Sequence, residues 1–314
     1  MDSESSIIRG KRKLEFLKSF YVLMSILIIS SIFAAIALAI PLTERGFYCD
    51  DDFITKPYIP HQSVSTFVCA VVSVCMAASA IILIDSFNIC YFCTRSEGVS
   101  FFTALRSPVI QKYFLITVQC VLFMGCGALV EQTILLMTKK TIGELRPHFI
   151  AVCYPNINKY YALCNNITYS TNYIQPKCLD ADEDHVKEAR MSFPSGHSSF
   201  IFYGAVSAIL YIRSQRIPIS ECFKVFCITV QFGYFILAWW VALTRVRDYW
   251  HHAWDVLTGA LIGSTTAYII WRCSPLKVKR RQLLSAGSSV KSRVGSDRLD
   301  TQMSSSPSVA SSET

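Results

Sequence analysis

Six apolar stretches, each close to the length of a membrane-spanning helix, constrain the fold of this 314-residue chain more than any other feature. Four of them can cross the hydrocarbon core of a bilayer unaided, which takes roughly 20 helical residues. These are residues 20–40, 64–84, 113–137 and 223–243. Two shorter stretches, residues 195–212 and 252–271, reach spanning length only if their polar first turns lie at the interface. We therefore predict an all-α, polytopic membrane protein with six transmembrane helices in a bundle.

The composition is too apolar for an ordinary soluble domain. Apolar residues make up 52% of the chain and charged residues only 17%, and the mean hydropathy is +0.37. Soluble domains carry about 25% charged residues. The first apolar stretch is longer than the core of a signal peptide and lacks a following small-residue cleavage site, so we expect it to be retained as a span.

The predicted spans divide the chain into three segments. Residues 1–19 form a basic N-terminal segment, residues 20–272 the six-helix membrane domain, and residues 273–314 a Ser-rich tail that we expect to be disordered. Six spans place both termini on one side of the membrane. Clusters of Lys and Arg before the first span and after the last predict that this side is the cytosol.

The opposite side carries marks of a lumenal or extracellular environment. Asn166 opens an Asn-Ile-Thr glycosylation sequon in the long loop before the fourth span. Cys153, Cys164 and Cys178 lie in the same loop, and Cys49 lies in the other large loop on that side. An oxidising compartment lets these cysteines form disulfides, but their pairing stays open. We expect the plasma membrane, with these loops outside, and an internal membrane stays an alternative.

Three polar motifs border the apolar stretches. They are KKTIGELRP at residues 139–147, PSGH at residues 194–197 and TRVRDYWHHAWD at residues 244–255. Counting spans from a cytosolic N-terminus places all three at the lumenal or extracellular ends of helices. Because a bundle brings those helix ends together, we predict that the motifs form one site there.

The first two motifs carry residue types that bind anions. Lys139 and Arg146 are seven residues apart, two helical turns, so both can lie on one side if the helix continues. Ser195 and Gly196 open a helix, where exposed N–H groups and the helix dipole attract negative charge. His197 follows at the mouth of an apolar helix, and an ionisable group there is functional by default.

The third motif supplies a candidate nucleophile. His251 and Asp255 are four residues apart and share one helical face, so the carboxylate can fix the imidazole tautomer and leave the other nitrogen free to attack. His252, three residues from Asp255, competes on geometry alone, and the spacing does not exclude it. Arg245 adds a third cation near the same site.

Together the three motifs resemble the signature of the lipid phosphate phosphatases, the integral-membrane type 2 phosphatidate phosphatases. The likeness covers roughly residues 10–272 and extends into LRPHF, SFPSGHSSF, DVLTG and the GFYCDDD of residues 46–52. Thr244 stands where the family usually has Ser. Arg247 and Trp250 stand where many members have smaller or simpler residues, which leaves the headgroup or chain preference open.

The resemblance implies a role for each motif residue. It implies a phosphate-binding set of Lys139, Arg146, Ser195, Gly196 and Arg245. It selects His251 over His252 as the nucleophile that forms a phosphohistidine, with Asp255 orienting it. His197 would protonate the departing lipid alkoxide and then activate water. The resemblance implies no metal and no cofactor, in agreement with the lack of a compact carboxylate cluster within the motifs.

The implied activity is hydrolysis of lipid phosphates such as phosphatidate, lysophosphatidate, ceramide 1-phosphate and sphingosine 1-phosphate at the lumenal or extracellular face. The expected partners are the bilayer and these lipids, with no nucleic acid, and whether the chain forms a homo-oligomer stays open. A catalytically silent lipid-phosphate-binding scaffold of the same fold is an alternative, although its usual loss of signature residues has not occurred here. A transporter would carry ionisable groups near the midplane; Glu131 suits that reading, but we expect it to pair within the bundle. A phosphatase for soluble substrates, such as glucose 6-phosphatase, is a nearer enzymatic alternative.

Overall fold

The computed structural model describes residues 2–95, 108–165, 173–175, 177–178, 181–214 and 220–274. Within these ranges the chain is mostly helical, with helices α1 (Asp2–Ala39), α2 (Thr66–Arg95), α3 (Pro108–Ile142), α4 (Phe149–Cys153), α5 (Ile157–Asn165), α6 (Glu183–Ala189), α7 (Gly196–Arg213), α8 (Glu221–Arg247) and α9 (Ala253–Cys273). Two short strands, β1 (Phe47–Tyr48) and β2 (Tyr173–Ile174), pair antiparallel. The predicted glycosylation site Asn166 and residues 275–314 of the predicted tail lie outside the described ranges.

Four of these helices contain a segment long and apolar enough to cross a membrane. The segments are Phe20–Ala39 in α1, Thr66–Cys90 in α2, Phe114–Ile142 in α3 and Glu221–Arg247 in α8. They coincide with the four long apolar stretches, so this part of the prediction is confirmed. No more than 33% of any one of these segments is buried inside the protein, because lipid tails solvate apolar side chains as well as a protein core does.

Helices α7 and α9 follow the second and third motifs and differ from the other four. They contain 18 and 21 residues and do not reach the same combination of length and hydropathy, so the count of six spans stays a prediction. Helix α7 lies at the centre of the bundle and packs against α9, α2, α8 and α3. Its residues Ile201, Ala208 and Tyr211 are 0% exposed.

Two glycines bring α9 against the first turn of α7. A Cβ atom at Gly259 would overlap the carbonyl oxygen of Ser195, and one at Gly263 would overlap that of Ser199. Close approach through small residues is a common way to join helices in membranes, where apolar burial between helices gains little. This contact places the second and third motifs side by side.

The buried carboxylate of Glu131 joins α3 to the same turn of α7. It is 0% exposed and accepts hydrogen bonds from the hydroxyl of Ser199 and from Nε2 of Gln132, the latter at 2.7 Å. A carboxylate inside a membrane-spanning segment is costly unless it is paired. Glu131 therefore links two helices of the bundle.

The described residues between α1 and α2 and between α3 and α7 form a small cap at the motif-bearing end of the bundle. Phe47 lies at the centre of its aromatic and apolar core. One disulfide joins Cys49 to Cys164 and a second joins Cys153 to Cys178. The first bond ties the two interhelical segments to each other, so both lie on the same side of the bundle.

Candidate active site

The end of α3 brings Lys139 against the second motif. Its Nζ donates a hydrogen bond to the carbonyl oxygen of Met191 at 2.7 Å. Its side chain runs past Gly196, where an added Cβ would lie 3.9 Å from Cε of the lysine. The first predicted cation therefore lies beside the start of α7.

Arg146 lies in the cap, four residues beyond the end of α3. Its guanidinium packs under the ring of Trp250, with Cζ 4.7 Å from the ring centroid, and its Nη1 lies 3.3 Å from Oε1 of Glu188. Its Nε is buried and has no hydrogen-bond partner among the described residues. Burial lowers the pKa of Arg146 and Glu188 opposes that shift. The guanidinium nevertheless stays charged at physiological pH, because the ordinary pKa of an arginine lies far above that range.

The PSGH motif forms the beginning of α7. Ser195 is its N-cap, and the Ser195 hydroxyl accepts from the backbone N–H of Ser198 at 3.4 Å. The backbone N–H of Ser195 donates to the carbonyl oxygen of Asp255 at 3.0 Å, so the first turns of α7 and α9 are joined directly. Helix N-termini of this kind attract anions through their free N–H groups.

His197 lies in the first turn of α7 and is half-buried. Its ring bonds to the backbone of Val64, and its Nε2 is buried without a partner among the described residues. The charges of Arg245, Arg146 and Lys139 all act on this ring. The structure thus places all three predicted cations around one histidine.

His251 and Asp255 lie together at the start of α9, as their spacing indicates. Nδ1 of His251 is 3.6 Å from Oδ2 of Asp255, and both side chains are buried. Burial lowers the pKa of His251 well below its usual value, the cations Arg146 and Lys139 act in the same direction, and Asp255 opposes them. The ring is therefore neutral at neutral pH, with a lone pair available.

His252 binds the same carboxylate in a different way. Its backbone N–H donates to Oδ2 of Asp255 at 2.9 Å, and its Nδ1 lies 3.3 Å from that oxygen. Its Nε2 lies 3.3 Å from the carbonyl oxygen of Phe53, and its ring stacks on Trp254. Each ring nitrogen of His252 therefore faces a protein oxygen at the N-terminus of α9.

Arg245 is fully buried in the last turn of α8. Its Nε and Nη2 donate to the hydroxyl of Thr244 at 3.2 and 3.1 Å. Its Nη1 donates to Oε1 of Gln62 at 2.8 Å. Thr244, which replaces the usual serine, therefore supplies its hydroxyl directly to the arginine.

The turn between α8 and α9 is held by His148, the residue that directly follows the first motif. Tyr249 has φ of 55°, a conformation that costs energy in a residue other than glycine. Nδ1 of His148 donates to the carbonyl oxygen of Tyr249 at 2.9 Å. Burial lowers the pKa of His148 to about 4, so its ring is neutral at physiological pH. His148 thus supports the turn that presents His251.

Residues outside the predicted set also hold the site, and the sequence analysis missed them. Ser192 is fully buried and donates to Oδ2 of Asp255 at 2.5 Å. Ser192 is the first residue of SFPSGHSSF, which resembles the family signature, so that resemblance could have identified it. Gln62 and Ser63 belong to the strap, residues 53–64, which precedes α2. No sequence spacing predicts a contact between the strap and the last turn of α8, which carries Arg245.

Three side chains near Asp255 have the composition of a metal site. Glu144, His252 and Asp255 place potential ligand atoms within 4.8 Å of one another, whereas the motifs in sequence showed no compact carboxylate cluster. Oε1 of Glu144, however, accepts from Nε1 of Trp254 at 2.8 Å, and Oδ2 of Asp255 accepts from Ser192 and His252. These carboxylates are therefore already bound by protein donors.

Comparison with known proteins identifies the family. The PAP2 superfamily model matches residues 115–279. The chain belongs to the PAP2 superfamily. It is 32% identical over 231 residues to phospholipid phosphatase 1 of Rattus norvegicus, covering 72% of this chain and 74% of that protein. It is 32% identical over 254 residues to phospholipid phosphatase 2 of Homo sapiens, covering 78% of each.

A relative from Drosophila melanogaster, whose name assigns it provisionally as a phosphatidate phosphatase, is 33% identical over 236 residues, or 72% of this chain. This chain spans only 60% of that protein's length. No solved structure matches the chain. The predicted resemblance to lipid phosphatases is confirmed. The prediction of a membrane enzyme of this type is therefore confirmed at the level of the family. The PAP2 match begins inside α3, so it includes all three motifs and leaves out the strap.

Proposed function

We propose that this PAP2 superfamily member removes phosphate from lipid phosphates, such as phosphatidate, lysophosphatidate, ceramide 1-phosphate and sphingosine 1-phosphate, through a phosphohistidine on His251. The observation that carries the proposal is a group of buried polar atoms without hydrogen-bond partners among the described residues. They include Nε of Arg146 and Nε2 of His197. Buried polar atoms are normally paired, so an unpaired guanidinium N–H and an unpaired imidazole nitrogen beside three cations suit an anionic substrate.

Phosphate binding falls to the cations and the N-terminus of α7. Lys139, Arg146 and Arg245 supply positive charge around the equatorial oxygens of phosphorus, and the Ser195 hydroxyl and Gly196 N–H add neutral donors. Preorganised charge of this kind stabilises the additional negative charge of the transition state more than water does.

In the first step Nε2 of His251 attacks phosphorus and the bond between phosphorus and the lipid oxygen breaks. Asp255 lies on the Nδ1 side of the ring, which leaves Nε2 as the attacking atom and stabilises the positive charge that develops. His197 gives a proton to the departing lipid alkoxide. The low pKa of His251 favours this step because the ring begins it unprotonated.

In the second step water attacks phosphorus, and His197 accepts a proton from that water. The phosphorus–nitrogen bond breaks, inorganic phosphate leaves, and His251 returns to its neutral form. No metal ion takes part in either step. Phosphate release in the presence of EDTA tests whether Glu144, His252 and Asp255 hold a metal ion that the reaction needs.

The decisive experiment compares His251→Ala with His252→Ala, measured as phosphate release from a panel of lipid phosphates in detergent micelles with EDTA present. We expect no detectable turnover and no trapped phosphoenzyme in His251→Ala. His252→Ala should keep a measurable fraction, because Ser192 still binds Asp255. Equal loss in the two variants would contradict the choice of nucleophile, and loss of wild-type activity in EDTA would contradict metal independence.

His197 is tested with a better leaving group. His197→Ala should be nearly inactive on lipid phosphates, which need a proton on the departing oxygen. With an aryl phosphate, phosphoenzyme formation should partly recover while its hydrolysis does not. If this variant traps no more phosphoenzyme than His251→Ala, the acid and base roles of His197 are wrong.

We also propose that the site faces the lumen or the cell exterior and that the protein resides in the plasma membrane. The disulfides of the cap support this orientation, since such bonds persist in oxidising compartments. Asn166→Gln should then remove a glycan and speed gel migration, and intact cells should hydrolyse lipid phosphate added outside. A glycan on Asn166 combined with activity on the cytosolic face alone would contradict the six-span topology.

A further inference from the structure

The strap, residues 53–64 of the cap, is held by its backbone to the cap segment that follows α3 and to the third motif. The backbone N–H of Lys56 donates to the carbonyl oxygen of Pro147 at 2.8 Å, and that of Ile150 donates to the carbonyl oxygen of Ile54 at 3.1 Å. Nε1 of Trp250 donates to the carbonyl oxygen of Ile59 at 3.1 Å. These contacts fix the position of the strap before its last residues reach α8.

Ser63 anchors the end of the strap to Asp248. Its backbone N–H and its hydroxyl donate to Oδ2 and Oδ1 of this carboxylate, each at 2.7 Å. Burial raises the pKa of Asp248, but the Ser63 bonds and the charge of Arg245 outweigh it, so the net shift is downward. Oδ2 of Asp248 also lies 3.5 Å from Nη2 of Arg245.

Gln62 contacts the guanidinium of Arg245 from outside α8. Thr244 and Asp248 are sequence neighbours of Arg245 at the same helix end, so they move with it. The 2.8 Å bond from Nη1 to Oε1 of Gln62 is the contact that ties the arginine to a separately anchored segment. A guanidinium binds phosphate through a rigid planar fork, so its orientation matters as much as its charge.

The geometry points to Gln62 as a positioning residue that sets the orientation of Arg245 for phosphate binding, an inference that rests on the proposed function of the site. A neutral amide suits this task. It accepts one N–H of the fork and leaves the positive charge available to the substrate. A carboxylate at the same place would orient the fork but would also compete with phosphate for it.

Two variants and a neighbouring control test this inference. Gln62→Met keeps the length of the side chain and removes the acceptor, whereas Gln62→Glu keeps the acceptor and adds negative charge. His61→Ala changes the adjacent exposed residue and serves as the control. Each is purified as the full chain, checked for its thermal unfolding midpoint, and assayed for kcat, for KM and for competitive inhibition by orthovanadate.

We expect Gln62→Met to weaken vanadate inhibition and raise KM by about tenfold, as for loss of one orienting hydrogen bond, with kcat changed much less. Gln62→Glu should weaken vanadate inhibition and raise KM further than Gln62→Met does. This additional effect should shrink as pH falls and the carboxyl protonates. His61→Ala should match the wild type. This pattern separates a positioning role from a structural one, because general destabilisation would lower the unfolding midpoint without separating KM from kcat.

Two results would overturn the inference while leaving the proposed function intact. Unchanged vanadate inhibition in both variants would show that Arg245 does not depend on Gln62. Tighter inhibition in Gln62→Met would show that the amide competes with phosphate for the arginine. Absence of turnover and of vanadate binding in the wild type would instead contradict the proposed function, and the inference with it.

Discussion

Helix α1 and helix α7 meet the membrane problem in opposite ways. The apolar segment of α1 is highly hydropathic and only 17% of it is buried inside the protein. Helix α7 begins with Gly-His-Ser-Ser, contains several further small or polar residues, and lies in contact with four other helices. Hydropathy therefore identifies the helices that face lipid. It does not identify α7, which carries part of the candidate site, because α7 makes its contacts with protein in place of lipid.

The largest effect is expected where α9 touches α7. In Gly263→Ala the new Cβ overlaps the backbone of Ser199, so α9 must move and take His251 and Asp255 with it. We expect phosphate release to fall by about 100-fold or more, as for an ångström-scale misplacement of reacting groups. The thermal unfolding midpoint should fall as well.

The matched control for that change is Gly233→Ala on the lipid-facing helix α8. A Cβ at Gly233 has no neighbour within 4 Å. This variant should keep full activity and gain up to about 1 kcal/mol of helix stability. If both alanines were tolerated equally, the close approach of α9 to α7 would not be the basis of the site.

A second comparison uses two hydroxyls. Ser192→Ala removes the 2.5 Å bond to Oδ2 of Asp255, so the carboxylate loses a buried donor. We expect kcat to fall by about 10- to 100-fold, the usual range for a hydrogen bond to a charged group. Thr229→Ala on α8 removes only a 3.1 Å bond to a carbonyl oxygen of its own helix. That variant should be indistinguishable from the wild type in the same assay.

A third prediction concerns pH. The pKa of His148 is about 4 in the folded protein because of burial, below its ordinary value of about 6.5. Between these two pH values His148 binds more protons in the unfolded chain than in the folded protein. Its contribution to the free energy of unfolding is therefore fully present above pH 6.5 and is lost as pH falls toward 4. The loss from this group is at most about 3 kcal/mol.

His148→Gln should flatten that pH dependence, because the amide still donates to Tyr249 but does not titrate. The measurement is the thermal unfolding midpoint from pH 7 to pH 4.5. Equal slopes in the variant and the wild type would show that the acid sensitivity arises elsewhere in the molecule.

The smallest effect is expected on the outer face of α8. Ile228 is 64% exposed in the protein. Truncation to alanine removes side-chain atoms that contact lipid, and lipid fills the space that they leave. The cost should stay below about 1 kcal/mol. Ile201→Ala on α7, at a position 0% exposed, should cost about 2–5 kcal/mol. Similar losses in the two variants would erase the distinction between the two kinds of helix.

The sequence predicted the features that depend on local pattern. Apolar stretches marked the four lipid-facing helices, and the four-residue spacing of His251 and Asp255 placed them together because both belong to one helix start. Features that depend on distant segments escaped it. Gln62 reaches Arg245 across 183 positions, and the pairing of Cys49 with Cys164 spans 115. Such contacts follow from the packing of the cap, which no periodicity in the chain encodes.

The bond between the N–H of Ser195 and the carbonyl oxygen of Asp255 has a consequence for biosynthesis. Chains emerge from the ribosome N-terminus first, so α3 and α7 are made long before α9. A chain that stops before residue 251 contains the predicted cations and His197 but lacks the proposed nucleophile. It also lacks the carbonyl that receives Ser195. Translation must therefore reach α9 before the proposed site can be complete.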